Sequence, residues 1–343
     1  MQSALVSVDT NSRALTKEQA AQATAYAMTM VLDRPILLKT IDSTLRGHIR
    51  QEVAAAFHAS GRGRMVIAPA FPDAGRVTIA GIQHVHGTPV SDSDYGSDPV
   101  HPARTSRIEE LIDRSLGPAV VVPVNASPAI LRQAANARIV ILDADSQERL
   151  NQQVARLPEP AAVLWVGSPG LAIALASLLP AIRCERSAID KPNRRALIVA
   201  GSANTVTHAQ CEALQTAQIP VVEDIASAPA DAPIVCLRAP QQRQPNATSI
   251  LSHIAGQAAA ILALQSYDAV IATGGETMSA ILERLGISSF LLTRELEPGF
   301  PLGLAQLPNG TPLAVAMKAG GFGSPTTLLH AAETLTSDMG HLR

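Results

Sequence analysis

The sequence predicts an α/β protein of two domains, each a mainly parallel sheet flanked by helices. Short apolar runs alternate with glycine-rich or polar turns and amphipathic, helix-length segments, which is typical of βαβ units. The length of 343 residues accommodates about two domains of roughly 100–200 residues each. Between the two series of strands, Pro180–Arg195 is charged, contains two prolines and has weak periodicity, which indicates a linker.

Five apolar runs in the first half are predicted strands: Pro35–Lys39, Met65–Pro69, Ala119–Val124, Arg138–Asp143 and Ala162–Val166. Helices are predicted near His48–Ala59 and Ser127–Asn136. The second half has a further series of predicted strands: Ala196–Ala200, Ile234–Arg238, Ala269–Ala272, Phe290–Leu292 and Leu313–Met317. Helices are predicted there from about Thr207 and, after the turn at Thr273–Thr277, through Arg284.

Composition excludes several function classes. The formal charge of −2 and the 3% aromatic content argue against a nucleic-acid-binding surface. The uncharged stretch Ala161–Ile182 is about as long as a membrane span, but a Gly-Ser-Pro-Gly turn at Gly167–Gly170 interrupts it and indicates a strand, a turn and a helix. Without a signal-peptide pattern at the N-terminus, we expect a cytoplasmic protein that contacts neither membrane nor nucleic acid.

Ligands of open parallel sheets bind beyond the carboxyl ends of the strands, so the turns after strands are the informative places. The sequence contains neither GxxxxGK[ST] nor a GxGxxG turn between a strand and a helix, which disfavours a Walker loop and a dinucleotide oxidoreductase. Three glycine-containing turns follow strands of the second half: Gly201–Thr207, Thr273–Thr277 and Lys318–Gly323. Backbone N–H groups in such turns and at helix N-termini bind phosphates; alternatively, the glycines only permit tight turns.

Glu276 stands out in the second of these turns. A carboxylate beside a phosphate is repulsive unless a cation lies between them, and magnesium is the natural bridge. Alternatively, Glu276 only favours the start of a helix through the helix dipole.

The densest polar cluster of the first half is Lys39–Gly47 (KTIDSTLRG). Arg46 suits bidentate capture of a carboxylate, and Asp42 can accept hydrogen bonds from hydroxyl groups or act as a base. Asp73 and Arg76, after the next predicted strand, complete a pocket suited to a small polyhydroxy acid. The alternative is an N-capped helix with solvated charges.

Several motifs resemble those of the four-carbon acid sugar kinases. KTIDSTLRGHIRQEV resembles the signature KKIDSTLRGNxxxE, and APAFPDAGR is similar to the FPxxGR segment that follows it in the family. Four later segments are similar to the nucleotide-binding blocks of the family: GSANTVTHAQ, TGGETMSAILERLGI, RELEPGFPLG and KAGGFG. The matches occur in order across almost the whole chain.

The resemblance implies a substrate-binding domain over residues 1–183, a linker over 184–195, a nucleotide-binding domain over 196–336 and a tail over 337–343. It implies ATP-dependent phosphorylation of the terminal hydroxyl of threonate, erythronate or 3-oxo-tetronate in an inter-domain cleft. The partners are then a sugar acid and ATP with Mg²⁺. The sequence leaves the oligomeric state open, with a homodimer as one option.

Carried onto this sequence, the family pattern assigns two sets of residues. Those facing the sugar acid are Lys39, Asp42, Ser43, Arg46 and Arg76, to which we add Asp73, with Asp42 and Arg46 as the catalytic pair. Those facing ATP and magnesium are Ser202, Gly274, Gly275, Glu276, Thr277, Gly320 and Gly321, with Glu276 as the metal ligand.

The chain departs from the family pattern in three ways. No ADDxTGA-type acidic turn precedes VDTNSRALTKEQA, so we expect a substrate-binding domain shortened at its N-terminus. Glu276 replaces the usual Asp of TGGDT, and Ala319 replaces a common Ser in KAGGFG. The alternative function is therefore a truncated, catalytically inactive homologue that binds nucleotide.

Overall fold

Helices and strands alternate through most of the computed structural model, which describes residues 5–97, 101–157, 159–180, 195–201, 204–240, 247–297 and 299–337. The chain divides into two units, Met1–Ile182 and Arg183–Arg343. Most of the predicted linker and tail lie outside the described residues, so their bounds stay a prediction.

The first unit is built on a parallel sheet. Its helices are α1 (Lys17–Thr29), α2 (Ile49–Ser60), α3 (Pro128–Asn136), α4 (Gln147–Ala155) and α5 (Pro169–Ala176). Its strands are β1 (Leu37–Thr40), β2 (Arg64–Ala68), β3 (Arg76–Ile79), β4 (Ile82–Val85), β5 (Thr88–Pro89), β6 (Ala119–Val122), β7 (Ile139–Leu142) and β8 (Val163–Gly167). Five of them pair in the order β1-β8-β2-β7-β6, and every pairing is parallel.

Helix boundaries follow from local sequence. A capping box joins Thr16 and Gln19 at the start of α1, and Ser127 and Ser146 cap α3 and α4 through their hydroxyl oxygens. Such caps satisfy backbone N–H groups that have no partner within the helix. Gly61, with φ of +64°, ends α2 in the left-handed conformation that glycine adopts without strain.

An antiparallel sheet of β3, β4 and β5 stands apart from the parallel one and was not predicted as such. Its β3–β4 turn is fixed by the carboxylate of Asp143, which accepts hydrogen bonds from the N–H groups of Ala80 and Gly81 at 2.6 and 2.9 Å. Burial raises the pKa of Asp143. The two hydrogen bonds to Asp143 attach the β3–β4 hairpin to the end of β7 and thereby fix the position of β3, which begins with Arg76.

The second unit has a seven-stranded sheet. Its helices are α6 (Thr205–Thr216), α7 (Ala247–Ala263), α8 (Gly275–Arg284) and α9 (Thr327–Thr336). Its strands are β9 (Ala196–Ala200), β10 (Val221–Val222), β11 (Ile234–Arg238), β12 (Ala269–Thr273), β13 (Leu291–Glu297), β14 (Phe300–Gln306) and β15 (Pro312–Lys318). The order is β10-β11-β9-β12-β15-β14-β13. The first five strands in this order pair in parallel, whereas β14 pairs antiparallel with both β15 and β13.

The β13–β14 hairpin is longer than the strand predicted at Phe290–Leu292. Pro301 and Gly303 make the sequence of β14 atypical of a strand, since proline donates no ladder hydrogen bond and glycine weakens a strand interior. Gly303 is needed for packing, because a Cβ built there would lie 2.6 Å from Cδ2 of Phe290.

The central strands of both sheets are buried, as their continuous apolar runs predict. Every residue of β8, β9 and β12 is buried. The single tryptophan, Trp165 on β8, is fully buried and donates its indole N–H to the Pro160 carbonyl at 3.1 Å. Within the described residues, no helix combines the length and apolarity needed to cross a membrane.

The burial of Trp165 allows a test of the first unit's core. Leu150 on α4 lies in the same apolar cluster and is fully buried, so Leu150→Ala should lower the free energy of unfolding by about 2–5 kcal/mol. The measurement is urea unfolding followed by Trp165 fluorescence. Leu131→Ala, on α3 at a position 41% exposed, is the matched control and should cost less than about 0.5 kcal/mol; equal losses would contradict this description of the core.

Candidate functional site

The turn after β1 is held in an unusual backbone conformation. Leu45 has φ of +57° and Gly47 has φ of +99°. A non-glycine residue in the left-handed region costs on the order of 1–3 kcal/mol, and such residues cluster at functional sites. Leu45 is buried in the core of the first unit, and this burial of its side chain stabilises the strained turn.

Asp42 organises this turn. Its Oδ1 accepts hydrogen bonds from the N–H and the hydroxyl of Thr44 at 2.9 and 2.8 Å. Its Oδ2 accepts from Nε and Nη2 of Arg46, both at 2.9 Å, and from the exposed Arg13 at 3.1 Å. Both carboxylate oxygens are therefore engaged, and the guanidinium of Arg46 has a fixed orientation.

The sequence predicted that Lys39 faces the substrate. Its ammonium pairs with the carboxylate of Glu52 on α2 at 2.7 Å, and both side chains are largely buried. Because a buried carboxylate already compensates its charge, Lys39 is a weaker candidate for binding a substrate anion than its sequence position indicates.

Arg76 reaches the same region from β3. Its Nη1 donates to the Ala74 carbonyl at 2.6 Å and its Nη2 to the Tyr95 hydroxyl at 3.2 Å, and among the described residues no carboxylate pairs with it. The guanidinium of Arg46 lies over the Tyr95 ring, with Cζ 5.0 Å from its centroid. The two predicted arginines thus converge on one tyrosine.

A buried amide joins the turns after β1 and β2. Gln83, fully buried on β4, donates through Nε2 to the carbonyls of Ser43 at 2.8 Å and Pro69 at 3.3 Å. The structure therefore brings Ser43 beside the other residues of the β1 turn and next to the β2 turn. Asp73, the remaining predicted residue of this set, is exposed on the turn that leads to Arg76.

In the second unit, three neighbouring strands end side by side. Thr273 at the end of β12 pairs in register with Ala200 of β9 and with Lys318 of β15. The three glycine-containing turns therefore open at one edge of the sheet, as the sequence predicted. Ser202, predicted to contact ATP, lies outside the described residues.

The turns after β9 and β12 touch each other. A Cβ on Gly201 would lie 2.2 Å from Oγ1 of the buried Thr277, so only glycine allows this approach. Gly274, with φ of +95°, precedes α8 and caps it without a side chain. The N-cap residue therefore supplies no side-chain acceptor to the first N–H groups of α8, and Gly275 and Glu276 in that turn are exposed.

Glu276 is the candidate magnesium ligand. The described residues contain no group of three or more His, Cys, Asp or Glu arranged to hold a metal ion. A nucleotide-bound Mg²⁺ needs fewer protein ligands, since phosphates and waters supply most of its coordination sphere. One exposed carboxylate beside the N–H groups of Gly275 and its neighbours fits that requirement.

The turn after β15 is anchored through its carbonyl oxygens. Thr207 on α6 donates to the Gly320 carbonyl at 3.0 Å, and Gln210 donates to the carbonyls of Phe322 and Ser324 at 3.1 and 2.8 Å. Gly321 lies close to Asn204, whose Nδ2 would be 3.3 Å from an added Cβ. The side chains of α6 thereby hold Gly320 and Gly321 beside the turn after β9.

Lys318 also belongs to this anchoring. Its side chain is 2% exposed, and its ammonium donates to the carbonyls of Ala319 at 3.0 Å and Gly320 at 3.4 Å. Burial lowers its pKa. These contacts assign Lys318 to supporting the turn.

Sequence reasoning missed the residues that support the site. Glu52 matches the final glutamate of the family signature KKIDSTLRGNxxxE, and its presence in the same motif as Lys39 could have indicated that the two side chains pair. Gln83, Tyr95 and Gln210 carry no such signal, because their partners are distant in sequence.

Comparisons with known proteins agree with this division of the chain. A family model described as a sugar-binding N-terminal domain matches residues 1–175, and one described as a nucleotide-binding C-terminal domain matches residues 233–328. The arginine-containing turns lie within the first match, and two of the three glycine-containing turns, 273–277 and 318–323, lie within the second.

Relatives and a solved structure extend the comparison. The D-threonate kinase of Cupriavidus necator is 34% identical over 337 residues, covering 88% of this chain and 80% of the relative. The 3-oxo-tetronate kinase of Brucella melitensis is 27% identical over 344 residues, covering 85% and 76%. A crystal structure from Salmonella typhimurium, described as a putative tRNA synthase, has the same fold, with a TM-score of 0.78 at 21% identity over 95% of this chain and 88% of that one. With both domain models matched and a relative at this identity, the chain belongs to the four-carbon acid sugar kinase family.

Proposed function

We propose that this protein is an ATP-dependent kinase that phosphorylates the terminal hydroxyl of a four-carbon sugar acid: threonate, erythronate or 3-oxo-tetronate. One observation carries the proposal: in each unit, the turns after the parallel strands contain chemical groups suited to one of the two reactants. Arginines and hydroxyl groups in the first unit suit a hydroxy acid, and glycine turns with a helix N-terminus in the second suit a polyphosphate. The names of the relatives support the same reaction.

The sugar acid binds at the turns after β1 and β2. Arg76 takes the carboxylate, since it is the arginine of the pair without a carboxylate partner among the described residues, and planar guanidinium groups bind carboxylates bidentately. Arg46, held by Asp42, adds positive charge, and Ser43 contacts the substrate hydroxyl groups. Lys39 contributes mainly by holding α2 against β1 through Glu52.

The nucleotide binds along the edge where β9, β12 and β15 end. The N–H groups at Gly275 and Thr277 face the phosphates together with those of Gly320 and Gly321. Gly274, whose N–H donates to the Lys318 carbonyl at 2.8 Å, shapes the turn that presents them. Ser202 remains part of this proposal from the sequence. Glu276 is the protein ligand of Mg²⁺, which when bound neutralises phosphate charge and orients the transferred group.

The chain's own contribution to catalysis is positioning and charge. Phosphoryl transfer passes through a loose transition state that requires little covalent chemistry from the protein. Because hydrogen bonds engage both oxygens of Asp42, we assign it to fixing Arg46. Both roles predicted from the sequence, accepting a hydrogen bond from a substrate hydroxyl and abstracting a proton, become less favoured. The decisive assay is ADP release from Mg·ATP with each of the three acids. Binding of Mg·ATP without turnover of any acid would contradict the proposal.

Arg76→Ala tests the carboxylate contact. Loss of a hydrogen bond between charged groups costs about 1.5–3 kcal/mol, so we expect kcat/KM for the preferred acid to fall about 10- to 100-fold, with KM for ATP unchanged. Arg132→Ala, at an exposed position on α3, is the matched control and should retain wild-type kinetics. An unchanged kcat/KM in Arg76→Ala would exclude Arg76 from the substrate site.

Gly275→Ala tests the approach of phosphate to the backbone. A Cβ at Gly275 meets no protein atom within 4 Å, so the substitution leaves the fold intact and obstructs only a ligand. We expect KM for ATP to rise at least about tenfold, the effect of one lost hydrogen bond to a charged group, with an unchanged unfolding midpoint. The control is Gly256→Ala in α7, where the nearest atom to the new Cβ is 3.9 Å away; equal KM values in both variants would contradict the nucleotide site.

Glu276→Gln tests the metal contact. The amide keeps the shape of the side chain but lacks the charge that attracts Mg²⁺. We therefore expect a several-fold higher Mg²⁺ concentration at half-maximal rate, with little change when Mg²⁺ is saturating. Glu283→Gln, exposed on the same helix, is the control. Identical magnesium titrations for the wild type and Glu276→Gln would remove Glu276 from the metal site.

A further inference from the structure

Tyr95 lies between the two arginines of the sugar-acid site and was not singled out from the sequence. It belongs to the connection between β5 and β6, and its carbonyl accepts a hydrogen bond from the N–H of Ala103 at 2.9 Å. The side chain is half-buried and packs against the core of the first unit. Its position is therefore fixed independently of Arg46 and Arg76.

The ring and the hydroxyl of Tyr95 contact different arginines. The ring face lies under Arg46, with the guanidinium carbon 5.0 Å from the ring centroid, within the range of a cation–π interaction. The hydroxyl oxygen accepts from Nη2 of Arg76 at 3.2 Å. One neutral side chain thus binds two cations that come from separate segments, the turn after β1 and the start of β3.

The contacts of Tyr95 hold two positively charged side chains, Arg46 and Arg76, close to each other. Two guanidinium groups repel each other. Of this pair only Arg46 is compensated by Asp42, which also pairs with Arg13, while Arg76 has no ion pair among the described residues. A second carboxylate beside Arg76 would neutralise it and weaken its attraction for a substrate anion. A tyrosine orients Arg76 without cancelling its charge, because its hydroxyl is a neutral acceptor. The phenolic proton donates to no described protein acceptor, which leaves it for an incoming oxygen.

We propose that Tyr95 is a positioning residue for the substrate carboxylate: it fixes Arg46 through its ring and Arg76 through its hydroxyl so that both guanidinium groups meet one anion. This inference rests on the proposed function and goes beyond it by naming what aligns the arginines. A purely structural tyrosine would act through packing alone, and Tyr95→Phe separates the two roles because it keeps the ring and removes only the hydroxyl.

The test compares Tyr95→Phe and Tyr95→Leu with the wild type in the ADP-release assay and in calorimetric titration with D-threonate, D-erythronate and 3-oxo-tetronate. For the acid that the wild type binds, Tyr95→Phe should raise KM and Kd about tenfold, the effect of one hydrogen bond to a charged group. KM for ATP and the unfolding midpoint should stay unchanged. Tyr95→Leu, which also loses the ring contact with Arg46, should raise KM and Kd for the acid further than Tyr95→Phe does. Tyr26→Phe, at a side chain 71% exposed on α1, is the matched control.

Each outcome decides the inference. Equal acid affinities in the wild type and Tyr95→Phe would overturn the role of Tyr95 and leave the proposed kinase intact. Parallel changes in both KM values and in the unfolding midpoint would show a structural role and overturn it as well. A wild type that binds the acid without phosphorylating it would refute the kinase activity, while the titrations would still decide on Tyr95. A wild type that neither binds nor phosphorylates any of the three acids would overturn both proposals.

Discussion

Parallel pairing in register is the constraint on which the proposed nucleotide site depends. Ala200, Thr273 and Lys318 are the last residues of three adjacent strands and lie directly opposite one another. Each following turn therefore begins at the same height above the sheet, although long stretches of sequence separate the turns. The contact of Gly201 with Thr277 and the bonds from α6 to the turn after β15 then fix the turns against one another.

The proposed sugar-acid site is organised by charge compensation. Glu52 pairs with Lys39, and Asp42 holds both Arg46 and Arg13, so most of the positive charge around the β1 turn is balanced within the protein. Arg76 is bound by a carbonyl and a phenol instead. A site in which every cation had a carboxylate partner would have little net attraction for an acid, whereas several unpaired arginines would repel one another.

The sequence predicted the parts of the fold and site that depend on local pattern. Asp42 and Arg46 lie in a turn that directly follows an apolar strand, as do the glycines of the second unit, so the placement of these residues at strand ends could be inferred from the local sequence. The supporting contacts could not: Gln83 binds the carbonyl of Ser43 and Gln210 that of Phe322 only because the sheet brings distant segments together. The β14 strand escaped prediction for a different reason: Pro301 and Gly303 are unfavourable in a strand, and the contact with Phe290 that requires glycine at position 303 is not visible in the local sequence.

The structure also bears on the two substitutions in the nucleotide motifs. At Ala319 the protein uses the carbonyl, which accepts from the Lys318 ammonium and from the N–H of Phe322 at 3.0 Å each, so the turn is anchored without the hydroxyl that is common in the family. At Glu276 the side chain is exposed at the start of α8, where an additional methylene meets no packing constraint, and a carboxylate remains favourable near the helix N-terminus. The first position therefore keeps fixed backbone groups, and the second keeps an exposed carboxylate at a helix N-terminus, as the proposed nucleotide site requires.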